Sequence, residues 1–295
     1  MRSIEEGKNI ENAEGLGAKI RLEFFRHDEK EKPVEDQADN TVRLTEKGRI
    51  HASEVGMGKE PKSDMSMAFG SARERSTETS LRQMLAREDI GGNATLEDIR
   101  SLISTEIGYG SKDRVTNNLN FNWSANPEFI KRYTETRDAL KFLLDESDTL
   151  VKKLHDKETT SYSRQAGNIA EIIKKYIEIL PRWQKLVDDY SDKYQEGNRE
   201  MQRFLGSHQT VTESFLMKVI DKTEGREAVR AFIDNLKDKN GFGFSEGYKV
   251  EIKTKGGESI VLVQYGDKTW SLKPELINQI IAERDELNDQ IEKQQ

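Results

Sequence analysis

The sequence predicts an α/β fold: a three-layer sandwich with a mostly parallel central sheet flanked by helices, plus a helical insertion. Two observations predict it. Strand-like and helix-like patterns alternate over residues 18–88, which is typical of a sheet covered by helices. A charged stretch at about 127–200 instead carries apolar residues at helical spacing.

The first strand and its following helix are predicted from residues 18–52. The segment AKIRLEFF, residues 18–25, alternates and is rich in apolar and aromatic side chains, as expected for a strand. A charged loop follows at 28–43, and Thr45 is placed to cap a short helix.

A second strand is predicted at residues 65–71, in the segment MSMAFGS. The next segment, RERSTETSLRQMLARE, has helical character. This repeat of strand and helix extends the α/β pattern.

The insertion at about 127–200 is predicted to form two or three amphipathic helices: Pro181 interrupts the helical pattern after Leu180, and a further helix that contains Trp183, Leu186, Val187 and Tyr190 is expected to follow. A helical cap beside the sheet is the favoured interpretation. The alternative, a partner-binding coiled coil, is disfavoured because the apolar pattern does not keep a heptad.

The remainder of the chain is predicted to close the domain. Residues 248–273 indicate two or three strands joined by tight turns, and a helix is expected at about 274–293. Residues 1–17 are polar and are expected to be a flexible segment that precedes one domain, 18–295.

Composition restricts the function. The net charge of −7 disfavours nonspecific nucleic-acid binding, although a local basic pocket can still hold an anion. The chain has no cysteine, which excludes thiol chemistry, and no histidine spacing indicates a metal site. We expect no membrane segment and no secretory signal, and hence a cytoplasmic location.

Arg26 and His27 end the first predicted strand. In α/β sheets the carboxyl ends of strands line a ligand crevice. An arginine can grip phosphate oxygens with its planar fork, and a neutral histidine is a nucleophile. The pair therefore suggests phosphate chemistry.

FFRHDEK followed by RLTEKGRIHA resembles the opening motif of the histidine phosphatase superfamily, in its phosphoglycerate mutase-like branch. That motif is an apolar strand ending in R-H-G or R-H-x-E, followed by L-T-x-x-G-x-x-Q-A. Asp28 stands where glycine is usual, and His51 where glutamine is usual. A carboxylate at residue 28 would repel an anionic substrate unless it turned away.

The segment FGSARERSTETS resembles the superfamily's S-x-x-x-R-A-x-x-T-A motif. Ser71, Arg75 and Thr79 occupy its positions, which implies that Arg75 is a second phosphate ligand. Arg73 is the alternative arginine in the same segment.

The segment TEIGYGSKD resembles the E-x-x-Y-G motif, whose glutamate is the proton donor in the mutase-like branch. Glu106, Tyr109 and Gly110 match it, so the resemblance implies that Glu106 is the proton donor. Glu88 and Glu97 are the alternatives.

The segment FLGSHQTVTESFL resembles the family's late strand followed by S/T-H-G, with Ser207 and His208 on the motif. Gln209 replaces the usual glycine. In the acid-phosphatase branch an aspartate follows this histidine and donates the proton, but glutamine cannot, which favours Glu106.

The resemblance implies a metal-independent phosphoryl-transfer enzyme without a cofactor, in which residues 18–295 form the catalytic domain. A phosphomonoesterase is expected, with a phosphohistidine at His27 and with Arg26, Arg75 and His208 binding the phosphate. Its substrate would be a phosphorylated small molecule or a phosphoprotein. A phosphoglycerate mutase-type phosphotransferase and a non-catalytic interaction protein on the same scaffold are the alternatives. The substrate, the oligomeric state and the role of the insertion are not predicted.

Overall fold

A computed structural model describes most of the chain. Of residues 1–17, which are predicted to form a flexible segment, only Gly17 lies among the described residues. For residues 106 and 107 the backbone is described and the side chains are not. The described residues are 17–59, 63, 65–87, 90–107, 112–123, 126–191, 194, 199–236 and 241–293.

The described strands form one central sheet. The strands are β1 (Lys19–Arg26), β2 (Met67–Gly70), β3 (Asp113–Val115), β4 (Glu200–Ser207), β5 (Gly247–Lys255), β6 (Glu258–Tyr265) and β7 (Lys268–Leu272).

The strand order in the sheet is β3-β2-β4-β1-β5-β6-β7. The pairings β3-β2, β2-β4 and β4-β1 are parallel, whereas β1-β5, β5-β6 and β6-β7 are antiparallel. The α/β prediction is confirmed, and the sheet is mixed because the last three strands follow one another through tight turns. The parallel half contains both strands that the histidine motifs follow.

Helices connect and cover these strands. In chain order they are α1 (Glu46–Met57), α2 (Glu74–Leu85), α3 (Leu96–Ile107), α4 (Pro127–Thr136), α5 (Ala139–Phe142), α6 (Asp148–Lys153), α7 (Tyr162–Asp189), α8 (Val211–Glu224), α9 (Arg226–Asn235) and α10 (Pro274–Glu292).

Both faces of the sheet are buried, so the predicted three-layer arrangement is observed. Phe25 and Phe204 point into the smaller core, which α2 and α3 cover. Their neighbours Phe24 and Leu205 point into the larger core, which α7, α8 and α10 cover. This alternation is expected because successive side chains on a strand face opposite sides.

The predicted helical insertion is present, but Pro181 does not end its last helix. α7 runs unbroken through Pro181 to Asp189. The side chains of Leu180, Trp183 and Val187 are all buried in the larger core. Burial of several large apolar side chains on both sides of the proline offsets the ~3 kcal/mol that an interior proline costs a helix.

α1 begins where the sequence predicts. The Thr45 hydroxyl accepts a hydrogen bond from the Gly48 backbone N–H at 3.0 Å, which is a side-chain N-cap. A Cβ on Gly48 would lie 2.4 Å from the Glu29 carbonyl oxygen. The glycine of the L-T-x-x-G pattern therefore lets α1 approach the segment that follows His27.

Within the described part of the chain, no helix combines the length and the apolar character needed to cross a membrane.

Candidate active site

His27 and His208 lie side by side at the carboxyl ends of two neighbouring parallel strands. The last residues of β1 and β4, Arg26 and Ser207, are register partners. The His27 N–H donates to the Ser207 carbonyl at 2.8 Å, and the two imidazole rings lie 5.1 Å apart between centroids. Two motifs 181 residues apart in the chain thus meet, because parallel strands end at the same edge of the sheet.

The hydrogen bonds of His27 determine its tautomer. Its Nδ1 lies 2.7 Å from the Asp28 carbonyl oxygen, and because a carbonyl only accepts, Nδ1 carries the proton. Nε2 therefore keeps its lone pair, and the Arg75 Nε–H donates to it at 3.3 Å. The unprotonated nitrogen of His27 thus faces a guanidinium, a group that can bind an anion.

Burial and nearby cations keep both imidazoles neutral. Burial, followed by the charge of Arg75, lowers the His27 pKa to about 3. Burial also lowers the pKa of His208 well below its ordinary value, with His27 and the cations Arg73 and Arg75 adding to the effect. His27 is consequently a free base at neutral pH, as nucleophilic attack requires.

The Ser71, Arg75 and Thr79 frame contacts both strand ends. The Ser71 hydroxyl lies 2.8 Å from Nε2 of His208. Arg75, four residues after Ser71, donates from Nε to His27 Nε2. Thr79, four residues after Arg75, accepts a hydrogen bond at its hydroxyl from the backbone N–H of Asp28 at 3.1 Å. Arg75 and Thr79 share a face of α2 because residues at i and i+4 are neighbours on a helix.

Asp39, in the loop after β1, holds the outer edge of the Arg75 guanidinium. Arg75 Nη1 donates to the Asp39 carbonyl at 2.7 Å, and Nη2 donates to its carboxylate at 3.2 Å. Arg73 Nε also binds this carboxylate, and Lys30 Nζ lies 3.7 Å from it. Three cationic side chains therefore converge on one carboxylate.

Asp39 is ionised under all ordinary conditions. Partial burial would by itself raise the Asp39 pKa, but hydrogen bonds from Arg73 and Arg75 outweigh it and hold the pKa far below its usual value. Asp39 therefore places a permanent negative charge beside the guanidinium of Arg75.

Arg26 is wrapped by the segment that leads into β5. Its Nη1 donates to the Phe242 carbonyl at 2.6 Å, and its guanidinium lies 4.5 Å from the centroid of the Phe244 ring. The Arg26 backbone bonds to Ser245 N and Glu246 O. This packing fixes the side chain next to His27, whose pKa its charge lowers further.

The Asp28 carboxylate is held by three hydrogen-bond donors. Its Oδ2 accepts from His51 Nδ1 at 2.7 Å and from the Ser245 hydroxyl at 2.6 Å. Oδ1 accepts from the Glu29 N–H at 2.7 Å. The two departures from the opening motif, Asp28 and His51, are thus hydrogen-bond partners of each other. The hydrogen bonds to the Asp28 carboxylate offset the repulsion of an anionic substrate that was predicted for it.

His208 is followed by a tight turn. Thr210 has φ +75°, a conformation that is unusual for a β-branched residue and that concentrates at functional sites. On the other side of the His208 ring lies Phe121, at 6.1 Å between centroids. Phe121 also packs under Arg73, at 5.6 Å, so it forms one wall of the site.

The predicted proton donor, Glu106, has its backbone but not its side chain among the described residues. Glu106 lies in the last turn of α3, but its side chain, with Tyr109 and Gly110, lies outside the described residues, as does Glu88. Glu97 is exposed and pairs with Arg43 at 3.4 Å. The structure thus assembles His27, His208, Arg26 and Arg75 and leaves the role of Glu106 a prediction.

Several residues of the site were not predicted. Asp39 and Phe121 belong to loops without periodicity, which give no signal in a single sequence. Phe242 and Phe244 lie in the glycine and aromatic segment GFGFSE, 241–246, whose composition is a signal of close backbone packing.

Among the residues that the structure describes, no group of three or more histidine and acidic side chains is arranged to hold a metal ion.

No protein-family model matches the chain, and no curated protein matches it. Solved structures similar to it include mycobacterial hydrolase 2, with TM-score 0.48 and 13% identity over 90% of this chain and 98% of that one. A mycobacterial glucosyl-3-phosphoglycerate phosphatase has TM-score 0.42 and 13% identity over 80% of this chain and 90% of its own.

The phosphoglycerate mutase from Bacillus anthracis has TM-score 0.42 and 13% identity over 90% of this chain and 99% of its own. At 13% identity and with TM-scores below 0.5, these three structures assign neither a family nor an activity to the chain.

Proposed function

We propose that this chain is a phosphoryl-transfer enzyme, and specifically a phosphomonoesterase that forms a phosphohistidine at His27. The geometry of His27 carries the proposal. Its Nδ1 proton is held by the Asp28 carbonyl, and its Nε2 lone pair faces the Arg75 guanidinium at 3.3 Å. A neutral nucleophile directed at a cationic anion-binding group is the arrangement that phosphoryl transfer needs.

In the first step the Nε2 lone pair of His27 attacks phosphorus, and the bond from phosphorus to the ester oxygen breaks. Arg26, Arg75 and His208 surround the transferring group and bind its equatorial oxygens, where charge must be stabilised. Glu106, the donor implied by the sequence resemblance, protonates the departing alkoxide.

In the second step a water molecule attacks the phosphohistidine, and Glu106 accepts the proton of that water. The bond between phosphorus and Nε2 breaks, which returns the lone pair to His27 and releases inorganic phosphate. The hydrogen bond from Nδ1 to the Asp28 carbonyl persists through both steps and stabilises the positive imidazole of the intermediate.

The test is hydrolysis of p-nitrophenyl phosphate in the presence of a chelator. We expect the wild type to release phosphate and His27→Ala to fall to the level of the buffer control. Arg75→Ala should lose about 10² to 10³ in kcat, the usual effect of removing one preorganised donor. His155→Ala, which removes an exposed histidine on the insertion, is the matched control and should keep full activity.

Chelator-resistant activity that survives in His27→Ala would contradict the assignment of the nucleophile. If the wild type hydrolyses neither this ester nor a panel of natural phosphomonoesters, the phosphatase assignment is wrong. Acid-labile phosphate on His27 would then indicate a mutase, and its absence would indicate a non-catalytic protein.

A further inference from the structure

Glu213 is a fully buried carboxyl group beneath the candidate active site. It lies in the first turn of α8, five residues after His208, and its relative exposure is 0%. Oε1 accepts a hydrogen bond from the Phe242 N–H at 2.6 Å. Oε2 has no hydrogen-bond partner among the described residues. A fully buried carboxyl group is costly to keep and calls for an explanation.

The Phe242 residue links this carboxyl to Arg26. Its N–H donates to Glu213, and its carbonyl accepts from Arg26 Nη1 at 2.6 Å. A Cβ on Gly241 would lie 2.7 Å from Glu213 Oε1, so the glycine allows this close approach. The Arg26 guanidinium is thereby bound by the Phe242 peptide, whose position is fixed by its hydrogen bond to Glu213.

The charge of Glu213 acts on Arg26 directly as well. Burial lowers the Arg26 pKa, and the carboxylates that oppose this effect are Glu213 first, then Asp28 and Glu246. The charge of Arg26 in turn lowers the Glu213 pKa.

Two tyrosines, Tyr248 on β5 and Tyr265 on β6, also face Glu213. Burial raises the Glu213 pKa to about 7. Hydrogen bonds from the backbone and the charge of Arg26 lower this pKa, but burial outweighs them. The carboxyl therefore gains and loses its charge near neutral pH.

A purely structural role is the alternative. Glu213 occupies the third position of α8, where a glutamate can accept a hydrogen bond from the backbone N–H of the capping residue. A backbone hydrogen bond from Thr210, which precedes the helix, does lower the Glu213 pKa. A cap would contribute to stability but would leave the affinity of the site for anions unchanged.

We propose that Glu213 is a positioning residue for Arg26: it fixes the Phe242 peptide against the guanidinium, and its charge sets how strongly Arg26 holds an oxyanion. The inference rests on the proposed function only in treating Arg26 as a ligand of the substrate phosphate.

The test is sulfate binding measured by calorimetry between pH 5.5 and 8.5. Sulfate keeps its double charge over this range, and His27 and His208 stay neutral, so neither the ligand nor this pair titrates. In the wild type we expect the dissociation constant to rise about three- to tenfold as pH passes through 7, the order of effect of one nearby charge. Glu213→Gln should keep the tight, low-pH value throughout.

Two matched variants separate the alternatives. His51→Gln removes the histidine that binds the Asp28 carboxylate, and should retain the rise. A rise that disappears in His51→Gln and persists in Glu213→Gln would overturn the proposal. Glu213→Leu cannot accept from the Phe242 N–H, and we expect weaker sulfate binding at every pH.

Thermal melts report the titration without any ligand. The Glu213 pKa is raised in the folded state, so its stabilisation is complete at acid pH and is lost as pH rises through about 7. The wild-type Tm should therefore fall relative to that of Glu213→Gln between pH 5 and 8. Parallel Tm curves would also count against the proposal.

If Glu213→Gln does not fold, Glu213→Asp provides the test. The shorter side chain should lose the Phe242 bond and weaken sulfate binding at all pH values, and unchanged affinity would contradict the inference. Because sulfate binding and Tm need no turnover, a protein that shows these effects but no hydrolysis would keep this inference and lose the proposed function.

Discussion

Asp39 binds the guanidinium to which the proposed function assigns the substrate phosphate. Its carbonyl and carboxylate occupy Nη1 and Nη2 of Arg75, while Nε faces His27. Arg73 and Lys30 are drawn to the same carboxylate. An incoming phosphate must therefore share or displace an anion that the protein itself supplies.

Asp39→Asn should tighten the competitive inhibition by inorganic phosphate. The amide keeps the shape of the side chain and removes its charge, so we expect the inhibition constant to fall about three- to tenfold. Asp36→Asn, in the same loop and also exposed, makes the same charge change away from Arg75. Equal inhibition constants for both variants and the wild type would show that Asp39 does not compete with phosphate.

At the scale of single residues, the motif residues could be predicted from the sequence, whereas the residues that contact and orient them could not. His27, Arg75 and His208 were identified because the spacing around them resembles a known frame. Asp39 was not, because it lies in a loop that has no periodic pattern and no motif. The pairing of Asp28 with His51 was also missed, since each was seen only as a departure from the motif.

Helix α1 shows how a motif glycine positions an element. The N-cap at Thr45 sets its start, and Gly48 packs on the backbone of Glu29. Glu29 follows His27 and Asp28 in the chain. The packing of α1 on Glu29 therefore helps to position the turn that contains His27, the proposed nucleophile. The glycine is thus required by packing, although its position was predicted by resemblance alone.

Gly48→Ala should destabilise the protein by about 1 to 3 kcal/mol, the usual cost of forcing extra atoms into a packed contact. The added Cβ would lie 2.4 Å from the Glu29 carbonyl. Gly58→Ala, at the other end of the same helix, is the control. Gly58 has φ −73° and nothing nearer than 3.7 Å to a new Cβ.

Chemical denaturation measures both changes, and Gly58→Ala should be neutral or slightly stabilising. Equal stability of Gly48→Ala and the wild type would mean that α1 does not pack closely on residue 29.

The insertion shows the limit of local signals. Pro181 predicted a break, because proline removes a helical hydrogen bond. The buried side chains of Trp183 and Val187 instead keep α7 continuous against the larger core. Tertiary packing decides such a case, and it cannot be read from the residues that flank the proline.

Across the whole molecule, the site is built where the parallel strands β1 and β4 end together. Their pairing brings His27 beside His208, and α2 supplies Arg75 from the next connection. The chain carries a net charge of −7, yet basic side chains surround the two histidines. Arg75 and Lys30 lower the pKa of both imidazoles, Arg26 lowers that of His27, and Arg73 lowers that of His208. The composition therefore does not exclude a local concentration of positive charge.

The sheet explains why part of this could be foreseen. Alternation of strand and helix predicted an α/β fold, and the position of His27 at a strand end placed it at the carboxyl edge of the sheet. The order of strands, the antiparallel half and the wrapping of Arg26 by residues 241–246 depend on contacts between distant parts of the chain. Those contacts leave no pattern within any single segment.

The most direct test is to locate the phosphoryl group on the enzyme. Glu106→Gln, mixed with p-nitrophenyl phosphate and quenched in alkali, should accumulate phosphate because the variant lacks the base that activates water. Mass spectrometry should find one acid-labile phosphate on Nε2 of His27, and none in the double variant with His27→Ala. Phosphate on another residue, or turnover by the wild type with no phosphoenzyme in either protein, would contradict a His27 nucleophile.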